Sequence, residues 1–168
     1  FSIPNYVLVK DCDFSRAPNS YILDVNEPHS GLYIPVIKAY DAWKNSEFLK
    51  KQEASDPIPE GTQSASVYWE DVPGLIQEVG IKSEGEPDQS KIKVSVDKTK
   101  GKGNAVIAFK VNDKIYWSWH IWVTDDPSNG VTYTQGFETN IEGKEFRPQY
   151  MDRNLGATSS SFLGNDWH

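Results

Sequence analysis

An antiparallel β-sandwich is the fold class this sequence predicts, and three observations lead to it. The chain has 168 residues, enough to bury one core without disulfide staples. Short runs rich in β-branched and aromatic residues recur at intervals of roughly ten residues, cut by Gly, Pro, Asn and Asp. Helical spacing of apolar residues occurs in one place only, so the crossover helices of a parallel α/β sheet are missing.

Taken in order, the expected strands are Tyr6 to Lys10, Ser20 to Asp24, Leu32 to Lys38, Ala65 to Glu70, Leu75 to Val79, Lys91 to Asp97, Asn104 to Val111 and Lys114 to Thr124. Between the third and fourth, Tyr40 to Gln52 has near-helical spacing, and Asp56-Pro57 and Pro59 end any helical turn it begins. The charged, breaker-rich stretch from Gly80 to Ser90 reads as an exposed turn, as does Lys98 to Gly103. Val111-Asn112-Asp113-Lys114 joins the last two strands as a tight hairpin, because Asn and Asp tolerate the positive φ that such a turn demands.

Strand parity sorts the densest aromatic stretch, YWSWHIWVTDD at 116–126. Side chains alternate across a strand, so Trp117, Trp119, Ile121 and Val123 share one uninterrupted apolar face, which belongs to the core. Tyr116, Ser118, His120, Trp122 and Thr124 share the other, which is either wet or covered by a later segment. The same test places Val67 and Trp69 inward against Ser66, Tyr68 and Glu70, and makes Ala105, Ile107, Phe109 and Val111 the core face of their strand.

With 17 Lys and Arg against 24 Asp and Glu, and no basic stripe, the net charge of -7 argues against a nucleic-acid partner. No apolar run approaches the roughly 20 residues of a membrane-spanning helix. Phe1 opens the chain with no Met, charged n-region or cleavage site, which reads as a processed or trimmed chain. The single cysteine, Cys12, forms no intramolecular disulfide and is expected to be a small buried residue.

Catalytic motifs are missing: there is no nucleophile elbow, dinucleotide fingerprint, phosphate loop or histidine-rich metal motif. The sequence therefore predicts no enzyme. Glu70 and Asp71 are adjacent, as are Asp125 and Asp126, but neither pair is placed across a cleft by its spacing. His120 has no histidine partner at metal spacing and reads as a hydrogen-bonded structural residue. Asp125, Asp126 and Asn129 supply oxygen ligands of the kind calcium takes, as do Asp11 and Asp13. Their spacing fails the EF-hand loop, and DDPSNG is also ordinary turn chemistry.

Six blocks form an ordered series: APNSYIL at 17–23, YIPV at 33–36, VYWEDVPGLI at 67–76, GNAVIA at 103–108, WSWHIWVTD at 117–125 and YMDRNLGA at 150–157. The series resembles the fimbrillin-like and related cell-surface proteins of Bacteroidetes. That resemblance implies an exported, surface-exposed protein, anchored at the outer membrane in its full-length form and associated with adhesion or fimbria-like assembly. It also implies an immunoglobulin-like sandwich over residues 1–126. Residues 127–168 would then be either the start of a second module or an extension packing across the sandwich, in which case Gln149 to Asn154 would add a strand over the Tyr116, His120 and Trp122 face.

Two functions are carried forward. One is a non-catalytic structural or adhesion module that binds a host protein or another subunit by strand addition at an open sheet edge. The other is a carbohydrate-binding module that stacks sugar faces on Trp43, Tyr68, Tyr116 or Trp122, with His120 beside them.

Overall fold

The structure, a computed structural model, describes residues 18–45, 49, 57–127 and 151–159, together with the strands at 6–8, 139–141 and 144–146. In chain order the elements are β1 (Tyr6–Leu8), β2 (Ser20–Asp24), β3 (Gly31–Pro35), α1 (Ile37–Asn45), β4 (Gln63–Glu70), β5 (Ile76–Lys82), β6 (Lys91–Val96), β7 (Gly103–Val111), β8 (Lys114–Thr124), β9 (Thr139–Ile141) and β10 (Lys144–Phe146). Cys12, Asp11, Asp13 and Asn129 lie outside the described residues.

Two four-stranded sheets form the sandwich, one in the order β1-β3-β6-β5 and the other β2-β8-β7-β4, while β9 and β10 pair with each other. Most pairs are antiparallel, as expected, but the pairs β1 with β3 and β2 with β8 are parallel. Each parallel strand joins a sheet edge from far away in sequence, which is the long connection that parallel pairing needs.

The core lies between the sheets. Leu32, Ile34, Ile92, Val94 and Val96 come from the first sheet; Leu23, Ala105, Ile107, Phe109, Val111, Trp119, Ile121 and Val123 come from the second. The outer face of the first sheet is charged and solvated, with Lys93 on Glu78 at 2.7 Å and Lys82 and Lys91 both on Glu84. Those two ammonium groups bring the Glu84 carboxyl down to about 2.

The helix begins earlier than its periodicity predicts, at Ile37, and the expected strand from Leu32 to Lys38 stops at Pro35. Proline ends the ladder, and Val36, Ala39 and Trp43, at helical spacing, then turn inward together and are all buried. Trp43 donates its indole N–H to the Tyr116 carbonyl at 2.8 Å and meets the Tyr116 ring edge-on at 5.4 Å. Strand β5 extends to Lys82, where the sequence predicts a turn from Gly80: Ile81 still packs on the core, and Gly80 faces open space. The β7–β8 hairpin has the expected turn, with Asn112 at φ 50° and Asp113 at φ 65°.

Two β-bulges overturn the parity reading in part. In β4, Val67 pairs with Ile107 but Trp69 pairs with Val106, so Tyr68 is the extra residue. An extra residue moves everything after it to the opposite face, so Trp69, expected in the core, faces outward. In β8 the pairs Phe109 with Trp117 and Lys110 with Ile115 leave Tyr116 as the extra residue. Tyr116 therefore packs against the core beside Trp43, while still reaching the groove that His120 lines.

Candidate functional site

The outer face of the second sheet gathers the polar residues that this fold brings together from far apart in sequence. Register sets Ser20, His120, Val106 and Trp69 side by side across β2, β8, β7 and β4. In the next row Ile22, Trp122 and Asn104 are neighbours.

His120 is held by two hydrogen bonds, Nδ1 to Ser20 Oγ at 2.7 Å and Nε2 to Asn104 Oδ1 at 2.9 Å. Asn104 sets their direction. Its Nδ2 donates to Asp71 Oδ2 at 2.8 Å and to the Gly156 carbonyl at 2.9 Å, and both partners can only accept. The amide oxygen must therefore face His120, so Nε2 carries the imidazole proton and Nδ1 accepts from the Ser20 hydroxyl. Asp71 also accepts from the Asn104 backbone N–H at 2.6 Å. Burial pushes the His120 pKa below its ordinary value, opposed by the nearby Asp71 charge, so the ring is neutral near pH 7.

Residues 151–159 lie against this face and are secured at Arg153, whose side chain is only 4% exposed. Its guanidinium makes a fork to Asp152 (2.6 and 2.7 Å) and contacts Asp125 at 2.7 and 3.3 Å and the Thr124 hydroxyl at 3.2 Å. Lys102 adds a second cation on Asp125 at 2.5 Å. These cations hold the carboxyl of Asp125 well below the usual carboxylate range, and Arg153 lowers that of Asp152 as well. The chain over 151–154 crosses in bends, where a strand from Gln149 to Asn154 was expected; residues 149 and 150 lie outside the described residues. Arg153 bonds side chains on β8 and just after it, and the segment is further tied by the Asn104 amide and by a backbone bond from the Asp152 N–H to the Pro127 carbonyl at 3.4 Å.

Of the residues expected to meet a ligand, Trp43 and Trp122 are buried, 7% and 0% exposed, and cannot stack on a sugar. Trp122 does lie on the outer face, as its parity predicts, and its buried indole N–H has no hydrogen-bond partner among the described residues. His120 is half-buried, and Tyr116 is tied to Trp43. Tyr68 is exposed, with Trp69 beside it at the bulge. Two of the residues expected to meet a ligand, Tyr116 and His120, line one open groove of about 510 Å³ next to the relay, with Asn19, Val106, Ile115, Trp117 and Ser118.

No family model, curated protein or solved structure matches this chain. The site is therefore read from its own geometry.

Of the paired carboxylates, Glu70, Asp71 and Asp125 have structural partners. Glu70 accepts from the Gly74 and Ile76 backbone N–H groups, and Asp71 from Asn104, which fixes the β4–β5 corner against β7. Asp125 already holds two cationic side chains. Asp126 borders a smaller hollow of about 320 Å³ with Ile22, Leu23, Asp24, Glu27 and His29, and among the described residues no group of three or more His, Cys, Asp or Glu is arranged to hold a metal.

Ser20, Asn104, Asp71, Gly156 and Trp69 were not singled out as site residues by sequence reasoning. Ser20 and Asn104 carried a signal in principle, since each is a polar residue directly ahead of an apolar run in its strand. Nothing in the linear spacing shows that they meet at His120.

Proposed function

We propose that this chain is a surface-exposed structural or adhesion module of an exported Bacteroidetes protein, and that it works through contacts with another protein chain. One observation carries the reading: edge strand β4 presents Tyr68, 69% exposed, and Trp69, 50% exposed, side by side at its bulge. Interfaces concentrate their binding energy on large aromatic rings of this kind. Edge strands are ordinarily guarded by Lys, Pro or inward charges, and Gln63–Val67 (QSASV) has none of these. Among the described residues no strand pairs with the far side of β4. An extended segment of a partner adding to this edge would find backbone groups to bond and two rings as anchors.

An immunoglobulin-like identity for the sandwich is supported by strand order. Sheets ordered β1-β3-β6-β5 and β2-β8-β7-β4 correspond to an ABED sheet facing a CFG sheet, with β2 as an added strand beside the last one and α1 in the B–C connection. The parallel β1–β3 pair departs from that pattern. Export and cell-surface placement rest on the resemblance of the six sequence blocks.

A carbohydrate-binding role is the second reading, favoured by the same two adjacent rings, which could stack on sugar faces. The multimerised domain, offered to arrays of host-matrix proteins and glycans, tests both, since multivalency raises weak single-site binding into range. A protein signal weakened at least about tenfold by Ser66→Lys on the edge and by Trp69→Ala is the expected result. A saturable glycan signal lost in Trp69→Ala but kept in Ser66→Lys supports the second reading. Binding unchanged in both variants refutes a role for this edge.

A further inference from the structure

We propose that Ser20 is a nucleophile that accepts the acyl group of a small carboxylic ester bound in the adjoining groove, with His120 as its base and Asn104 as the residue that positions that base. The inference is independent of the docking role of β4 and concerns a different part of the sheet. A serine hydroxyl becomes reactive when a neutral imidazole nitrogen lies within hydrogen-bond reach and a third group fixes the ring. All three conditions are met here. The Ser20 hydroxyl is 2.7 Å from His120 Nδ1, and Asn104 Oδ1 is 2.9 Å from Nε2. Asn104 is itself fixed by Asp71 and by Gly156, so the ring has one tautomer and one orientation.

The surroundings suit an acyl substrate. Asn19 and His120 flank Ser20 and both line the groove, whose other walls include Val106, Ile115 and Trp117 for an apolar acyl chain. The Asn19 Oδ1 accepts from Trp117 Nε1 at 3.1 Å, so that oxygen is committed and the amide's Nδ2 is the group we assign as donor to an oxyanion. Ser20 is partly buried and borders the groove through its neighbours Asn19 and His120.

In the reaction the Ser20 Oγ bonds to the ester carbonyl carbon as its proton passes to His120 Nδ1. The carbon–oxygen bond to the alcohol then breaks, and the alcohol leaves with the proton from Nδ1. The products are acyl-Ser20 and free alcohol, and His120 is neutral again. Water attacking the acyl group by the same route releases the carboxylic acid and restores Ser20. While the imidazole is protonated, the Asp71 charge behind Asn104 favours it.

A fluorophosphonate, whose phosphorus is attacked as an acyl carbon would be, tests the proposal. The unmutated chain is expected to gain one adduct per molecule, mapped to Ser20 by mass spectrometry, and to release p-nitrophenol from p-nitrophenyl acetate. Ser20→Ala is expected to abolish both, His120→Gln to slow labelling about 100-fold, the usual scale of general-base assistance, and Ser83→Ala, which removes an exposed hydroxyl outside the groove, to change neither. Mapping on the unmutated chain stands whether or not His120→Gln folds. An adduct on Ser118 or scattered over other residues, no labelling above that of Ser20→Ala, or full-rate labelling in a folded His120→Gln protein would overturn the proposal.

Discussion

Replacing Trp69 and Trp119 separately by alanine distinguishes the bulged β4 from the regular strand that alternation alone describes. Trp119 is 1% exposed in the core, so its truncation removes the whole ring from contact and leaves a cavity, at a cost of about 3–5 kcal/mol. Trp69 is 50% exposed, so only about half of a ring's roughly 200 Å² is withdrawn from water, and solvent fills the space it vacates. Allowing for partial burial in the unfolded chain, its loss costs about 1–2 kcal/mol. At about 2–4 °C per kcal/mol for a domain of this size, the melting temperature falls by about 6–20 °C for Trp119→Ala and about 2–8 °C for Trp69→Ala. Urea unfolding monitored by far-UV circular dichroism measures both costs at one temperature, and acrylamide quenching should reach Trp69 and miss Trp119. Equal costs, with Trp69 protected from quencher, would mean that Val67 and Trp69 share the core face and that Tyr68 is not an extra residue.

Four further outcomes follow from the outer face and the corner beneath it. Arg153→Met leaves Asp125 and Asp152 with Lys102 as their near counter-charge; after discounting for the solvent around the carboxylates the loss is about 1–2 kcal/mol at pH 7, and limited proteolysis should then cut within 151–159. Because the folded-state pKa values of both carboxyls are depressed, their stabilisation is present above the unfolded value and lost as pH falls below about 4, so urea midpoints of the parent should drop over that range more steeply than those of Arg153→Met. His120 also has a depressed folded-state pKa, which means the unfolded chain takes up its proton first: stability should decline as pH falls from about 6.5 toward the folded value, and an NMR titration of the ring giving a pKa above 6.5 would refute the buried relay. Gly103→Ala would place a methyl group 2.7 Å from Asp71 Oδ1 and 3.0 Å from Leu75 Cδ2, costing about 1–3 kcal/mol in urea unfolding, whereas Gly80→Ala meets nothing within 4 Å and should be near neutral.

The strands were legible because their signal is local. Ser20–Asp24 and Lys114–Thr124 have the bounds that composition and punctuation predict, and Asn112-Asp113 takes the positive φ its residue types favour. Trp119, Ile121 and Val123 occupy the core face assigned by parity, and Trp122 the opposite one. The candidate site was much less legible. Parity has no means of counting an extra residue, so Trp69 and Tyr116 were assigned to faces that the bulges at Tyr68 and Tyr116 reverse. Burial on the outer face was legible only as an alternative, wet or covered by a later segment; Trp122 is buried, and the later segment reaches its cross-strand neighbour Asn104 at the Gly156 carbonyl.

The sequence by itself determined that this chain makes a β-sandwich, which of its runs become strands, and where its last hairpin turns. Those outcomes depend on alternation and turn chemistry over a few neighbouring residues. Only the tertiary structure decided that Ser20, Asp71, Asn104, His120 and Gly156 form one hydrogen-bonded relay, that Arg153 is buried between two aspartates, and that Tyr68 and Trp69 stand in water together. Each of these depends on strand register and bulges between segments up to 100 residues apart, where a shift of one position would send a side chain to the other face.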